Sequence, residues 1–474
     1  MLSVANLPST TNSDGTDDNV ATFRPGSSVA MLRPQRASDQ LALSWYGGVT
    51  SSKRLSSFQL LCVFFHSLLL LGVAIGIVLA AYISVDMERG ERRGGALPYI
   101  LAAFVALAGH EFSWLAYRVH LKLYMPLKLH EKQTSREMYR RIIAYAVDED
   151  TVAVTSLADK CCCRSNIVTA MVLSALGAGL TGLLCNVSGR TQMPVVYVAE
   201  STFVGIFSAA MAPNMSTAVC VLIRYMYFFL SSLKVVLRSD DAFTSHESGL
   251  VYDHDGELDS RNIMDRHLAV VIEPYSLLLL SVCLLLITRA VTSKDVMEST
   301  LMIVLDVAGM LYLSCSAAVL GLFDQSIRVC ESGALAGFFV IVWSAELGSS
   351  VTVSILKTVQ SPWVHPFTKH VSSQQNVEKL LGAVAFAVGA AILVSQYVDF
   401  NMHKTFVALL SAGAVMCAHI GKLFLVSLKK IAKVSSTGSY LCVGGGVLDR
   451  IDTLLFMALV FAPFFQRAVF NQPQ

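Results

Sequence analysis

Gly444-Gly-Gly-Val-Leu-Asp-Arg-Ile-Asp452 runs directly into Thr453-Leu-Leu-Phe-Met-Ala-Leu-Val-Phe-Ala-Pro-Phe-Phe465. Two aspartates and an arginine thus stand at the mouth of an apolar segment, 447–470, long enough to cross a bilayer. Charge is costly in lipid, and a chain that keeps it there usually marks a site rather than a scaffold. A helix puts Asp449 and Asp452, three apart, on one face a turn from each other. The glycine triplet lets the backbone come close to a ligand, and a helix start offers N–H groups. Upstream, Lys429, Lys430 and Lys433 add positive charge. Carboxylates for a divalent cation, with glycine and lysine for phosphates, point to phosphoryl chemistry at a membrane surface.

The rest of the chain has the matching character. Of 474 residues, 54% are apolar and 15% charged, and mean hydropathy is +0.57, too apolar for a soluble protein of this length. The excess gathers in about eleven stretches of spanning length: 58–84, 97–118, 167–186, 194–213, 216–237, 268–291, 296–323, 333–356, 379–399, 403–427 and 447–470. A lone segment in lipid satisfies its own backbone only as a helix. The predicted fold class is therefore all-α, a polytopic integral membrane helical bundle with about eleven transmembrane helices. Residues 1–52, rich in Ser, Thr, Asp, Asn, Gly and Pro, read as a disordered cytosolic tail. Residues 53–330 form an N-terminal transmembrane region, and 331–474 a C-terminal one that carries the motifs. No cleavable signal peptide pattern opens the chain, so the first apolar segment is expected to act as a signal anchor.

Several classes are disfavoured. A net charge of +2 gives no reason to expect nucleic acid. No internal repeat is visible, which weighs against an inverted-repeat transporter. The eleven cysteines lack framework spacing. Cys161-Cys-Cys163 is either a juxtamembrane S-acylation site or an inert cluster, since further ligands at zinc spacing are missing.

Orientation follows from the basic residues. Lys53 and Arg54 precede the first span, and 119–166 carries Lys122, Lys128, Lys132, Arg136, Arg140 and Arg141, so both belong in the cytosol. Alternation then puts 357–378 and 428–446 on that face and the acidic loop 238–267 opposite. Within the spans, Glu200, Arg224, Glu273 and Asp306 either line a polar cavity or pair across helices, and pairing is the simpler reading. Trp343 and Trp363 suit interfacial anchors, and His365 and His370 read as solvated loop histidines.

The C-terminal residues resemble the phosphatidate cytidylyltransferase (CDP-diacylglycerol synthase) family. Gly421, Lys429, Gly438, Leu441, Gly445, Gly446, Asp449, Arg450 and Asp452 fall in register with that family's signature, and Lys430 stands for an arginine. Trp343-Ser-Ala-Glu346-Leu-Gly348 is similar to its Trp-Ala-Ala-Asp-x-Gly segment. Ser372-Ser-Gln-Gln-Asn-Val-Glu378 resembles its Ser-Pro-Lys-Lys-Thr-x-Glu, and Ala106-Leu-Ala-Gly-His-Glu111-Phe an apolar run ending in Glu-Trp or Glu-Phe. The chain departs from the pattern at Lys422, where the family has a metal-holding Asp. It departs again at Ser435-Ser436 for Lys-Asp, Gly444 for His, Cys442 for Pro, and Gln374 and Gln375 for two lysines.

The resemblance implies an enzyme that joins CTP and phosphatidate with Mg²⁺, giving CDP-diacylglycerol and pyrophosphate. A phosphatidate oxygen attacks the α-phosphorus, and positioning and charge stabilisation carry the rate. It implies Asp449, Asp452, Lys429 and Arg450 as the catalytic set, with Asp449, Asp452 and Glu346 on the metal. Lys430, Ser372, Glu378, Gly445, Gly446 and Lys422 are the substrate-binding set. Implied partners are CTP, phosphatidate, membrane lipid and a second copy of the chain. The implied location is an internal membrane such as endoplasmic reticulum or mitochondrion, with the site facing the cytosol. Lys422 admits two readings. Either it pairs with the aspartates in place of a cation, an attraction of about 4 kcal/mol at ~4 Å and an effective dielectric near 20, or it contacts CTP while Glu346, Asp449 and Asp452 hold one metal. Three functions follow: the active enzyme, a catalytically inactive relative of the same fold that binds lipid or a partner, and an unrelated transporter or receptor-like membrane protein. The first two require Glu346, Lys422, Asp449 and Asp452 to converge.

Overall fold

The computed structural model describes residues 97–130, 157–158, 166–187, 192–247, 274–293, 295–327, 333–359, 365–368, 372–398, 400, 402–434, 436–438 and 446–470. The expected tail 1–52, the first span 58–84, Cys161 to Cys163, Glu273, Trp363, His370, Gly444 and Gly445 lie outside these residues, as does the side chain of Ser372.

The described chain is helical apart from one antiparallel strand pair. In order it forms α1 (Leu97–His130), α2 (Asn166–Val187), α3 (Gln192–Ala210), α4 (Met215–Glu247), α5 (Pro274–Thr292) and α6 (Val296–Gly309). A π-helical turn, Met310–Cys315, joins α6 to α7 (Ser316–Ile327), and α8 (Gly333–Val359) follows. Then come β1 (Pro366–Thr368), β2 (Ser372–Asn376), α9 (Val377–Val394), α10 (Lys404–Ala432) and α11 (Leu448–Phe470). Eight of these helical stretches are long and apolar enough to cross a membrane. The apolar part of α3 is shorter, at Val195–Ala210, and α11 carries the charged mouth. The all-α membrane bundle is thus present, whereas the count of eleven spans is not reached among the described residues.

Local chemistry explains the breaks. Asn214 accepts from the Thr217 N–H at 2.8 Å, an N-cap that starts α4 and separates it from α3. At the far end of α10, Lys433 adopts a left-handed conformation (φ 53°). The N–H groups of Lys433 and Val434 reach back to the carbonyls of Lys430 and Lys429 at 3.2 and 3.0 Å. That reversal ends α10 just past its two lysines and sends 434–438 back towards α1.

One core runs through both halves of the chain. It joins Phe112 and Leu115 of α1 and Phe228 of α4 to Phe338 of α8, Val415 of α10 and Phe461 and Phe465 of α11, all buried. Phe338 meets Phe461 edge-on at 5.2 Å. By contrast α2 turns Leu176, Leu180 and Leu183 outward, each more than 60% exposed, a surface that only lipid or another apolar body satisfies.

Contacts gather several connections at one end of the bundle. Trp114 Nε1 donates to the Met211 carbonyl at 3.2 Å, and Leu157 N–H to the Ala212 carbonyl at 2.9 Å. Ser216 and Thr292 hydroxyls lie 2.8 Å apart, and Tyr124 hydrogen-bonds to Asp295. Thr437 and Val447, between α10 and α11, and Leu448, which opens α11, lie against Glu111 of α1.

Candidate functional site

The mouth of α11 is built around a residue from the other end of the described chain. Glu111, on α1 and 2% exposed, accepts from the N–H groups of Val447 at 3.0 Å and Leu448 at 2.9 Å. It also accepts from the Thr437 hydroxyl at 3.2 Å. These are first-turn amides with no partner inside their own helix, and a carboxylate there suits the helix dipole. A side chain on either Gly438 or Gly446 would collide with the Glu111 carboxylate, so close approach accounts for both glycines. The helix-start N–H groups expected to be open to a phosphate are therefore taken by Glu111.

One helical face of α11 presents Asp449, Asp452, Thr453 and Phe456. Asp449 accepts from Lys429 Nζ at 2.9 Å and from the Thr437 N–H at 3.1 Å. Lys422 donates to Glu346, joining α10 to α8. The Thr453 hydroxyl bonds the same Glu346 oxygen and lies 3.2 Å from Asp452, so two carboxylates share one hydroxyl hydrogen. Asp452 is buried and also accepts from the Thr453 N–H at 2.6 Å. Glu346, Lys422, Thr453 and Asp452 are one connected set, and Asp449 stands a turn away with Lys429.

The other expected site residues fall around this set. Arg450 and Lys430 sit at exposed positions, and Gly446 is buried against Glu111. Glu378 is committed to the strand pair: it accepts from the His365 N–H at 3.1 Å and contacts His365 Nδ1 at 2.7 Å. His365, expected to be a solvated loop histidine, is exposed but tied to Glu378. Trp343 is exposed and stacks on Phe339 at 5.9 Å.

Four residues of the site carried no motif. Thr437 and Thr453 supply the hydroxyls, and Thr453 was legible as the i+4 neighbour of Asp449. Lys379, in the first turn of α9, lies within electrostatic reach of Lys422, Glu346, Asp452 and Lys429. Tyr312 lies in the π turn, a feature frequent at functional positions. Its ring meets Phe456 at 4.9 Å and Phe424 at 6.1 Å, which places it below Asp452, and its buried hydroxyl has no hydrogen-bond partner among the described residues.

A second charged cluster occupies the bundle interior. Arg289 Nε donates to Asp306 at 2.5 Å and its Nη1 to the Ser216 hydroxyl at 2.8 Å. Arg224 lies 4.0 Å from Asp306, bonds the Ser113 hydroxyl and sits over the Phe112 ring at 5.6 Å. Arg224 and Asp306 thus pair across helices, with Arg289 as a partner the sequence reading did not include.

The donors as arranged do not fit a divalent cation. Glu346 faces an ammonium and a hydroxyl, and Asp449 faces an ammonium and an amide. Among the described residues, no three His, Cys, Asp or Glu side chains stand together as a metal site.

Residues 260–468 match the cytidylyltransferase family. Phosphatidate cytidylyltransferases from two strains of Staphylococcus epidermidis are each 23% identical over 119 residues, 25% of this chain and 44% of theirs. The chain spans less than half the length of the curated relatives it matches. The matched region contains Glu346, Lys379, Lys422, Lys429, Asp449 and Asp452, and the apolar helices of the chain make it an integral membrane protein.

Proposed function

We propose that this protein binds the family's substrates, CTP and phosphatidate, at the α8–α11 site, and that Mg²⁺-dependent turnover there is lost or strongly reduced. The observation that carries the reading is the Lys422–Glu346 pair. An ammonium beside Glu346 neutralises an acid that a divalent cation would need, and it repels such a cation from Asp452. Lys429 does the same to Asp449. The basic residues of 119–166 favour a site that faces the cytosol.

The in-register Asp449, Arg450 and Asp452 favour a second reading, an active enzyme that makes CDP-diacylglycerol and pyrophosphate. One assay separates the two: CTP- and Mg²⁺-dependent formation of labelled CDP-diacylglycerol by the purified protein in detergent. The proposal expects no turnover by the natural protein and a measurable gain in Lys422→Asp. Robust turnover that Asp449→Asn abolishes establishes the active enzyme instead.

A further inference from the structure

Lys379 differs from Lys422 and Lys429 in having no carboxylate of its own. Lys422 is committed to Glu346 and Lys429 to Asp449. Lys379 makes no hydrogen bond or close ion pair among the described residues, although Lys422, Glu346, Asp452 and Lys429 all act on it electrostatically. It is half-buried, so its ammonium is held in the pocket. The helices explain the placement. α8 and α9 cross in backbone contact, where a side chain on Gly348 would lie 2.5 Å from the Gly382 carbonyl. Gly348 is two residues past Glu346, and Gly382 is three past Lys379.

Three described backbone donors of the mouth are already in use. Val447 and Leu448 give their N–H groups to Glu111, and Thr437 gives its own to Asp449. Formally, three lysines face three acids (Lys379, Lys422 and Lys429 against Glu346, Asp449 and Asp452). An incoming anion therefore meets a balanced set in which Lys379 alone answers without breaking an existing pair. An ammonium offers three donors on a flexible stem, and its bonds to phosphate oxygens are charge-assisted.

We propose that Lys379 makes this pocket a metal-independent binding site for a phosphate-bearing anion, its ammonium meeting the phosphate oxygens directly. The inference rests on the reading that the site takes phosphate-bearing substrates, and it names the residue and the cation that hold them.

Binding to the purified full-length protein in detergent, with excess chelator, tests it in two arms: labelled CTP in solution, and phosphatidate in mixed micelles against phosphatidylcholine micelles. We expect binding in at least one arm without Mg²⁺, weakened about tenfold or more by Lys379→Gln and kept by Lys379→Arg. The arm that responds identifies the source of the phosphate. Unfolding midpoints of the variants report on folding, and should Lys379→Gln not fold, Lys379→Met takes its place. Binding that requires Mg²⁺, or that Lys379→Gln leaves unchanged, overturns this inference alone. Binding of neither probe, with or without Mg²⁺, overturns it together with the substrate-site reading.

Discussion

Within one turn of α1, Glu111 faces the lysine-bearing pocket while Ser113 faces a pair of arginines, so two ionic clusters stand side by side. In the arginine cluster the side chains of Arg224, Arg289 and Asp306 keep no more than 5% of their surface. In the pocket the paired side chains keep 12% to 42%. The cations differ accordingly. Guanidinium is a rigid fork, weakly hydrated and suited to a closed network, whereas an ammonium on a flexible stem is easily redirected. The same attraction of opposite charges therefore serves architecture in one place and an open site in the other. Exposure separates them better than distance does, since both clusters contain contacts short enough to count as ion pairs.

The sharpest way to break this contrast is to neutralise the shared acid of the closed cluster. Asp306→Asn leaves two buried guanidiniums facing each other without their carboxylate, and a loss of about 3–5 kcal/mol is expected, read as a lower unfolding midpoint in detergent. A tolerated Asp306→Asn would mean that the cluster is wetter than its burial indicates. Next comes the seam between the regions. Glu111→Ala strips two first-turn amides and one hydroxyl of their acceptor, for about 2–3 kcal/mol, and Glu111→Gln recovers part of it. Amide hydrogen exchange at Val447 and Leu448 should rise in step, and unchanged exchange there would remove Glu111 from its capping role. The smallest effect belongs to the open pocket. Lys422→Met removes a pair whose acid keeps 42% of its side-chain surface, and a smaller loss of stability than that of Asp306→Asn is expected. A cost rivalling that of Asp306→Asn would erase the distinction.

What was legible in the sequence follows the range of the interactions. The spacing of Asp449 and Asp452 predicted a shared helical face, because i, i+3 geometry is local. The separation of 194–213 from 216–237 is equally local, since the Asn214 cap that makes it lies within three residues. A direct pair between Lys422 and the aspartates stood as one of two readings, whereas the ammonium bonds Glu346 and Asp449 takes Lys429, because a sequence gives charges but not which helices touch. Arg289 went unremarked although it pairs with Asp306 at 2.5 Å, since it lies at the end of an apolar run with nothing nearby to mark a partner. Tyr312 had no signal, since a π turn has no pattern that distinguishes it from ordinary helix. Of the glycines read as room for a phosphate, Gly446 lies against Glu111, a residue more than 320 positions away. Motif reading saw the shape of that gap but not its occupant.

That long reach bears on how the molecule is made. The three Glu111 bonds link residues 326, 336 and 337 positions apart, a separation that slows closure of the contact. A nascent chain inserts α1 long before α11 leaves the ribosome, and through that interval an acid seated among apolar helices has none of its three donors. Arrival of α11 satisfies Glu111 and, in the same movement, brings Asp449 to Lys429 and Thr453 to Glu346. Assembly of the pocket thereby becomes the closing event of biogenesis, and a chain cut short before residue 447 is left with a buried carboxylate that keeps only the Thr437 hydroxyl of its three donors.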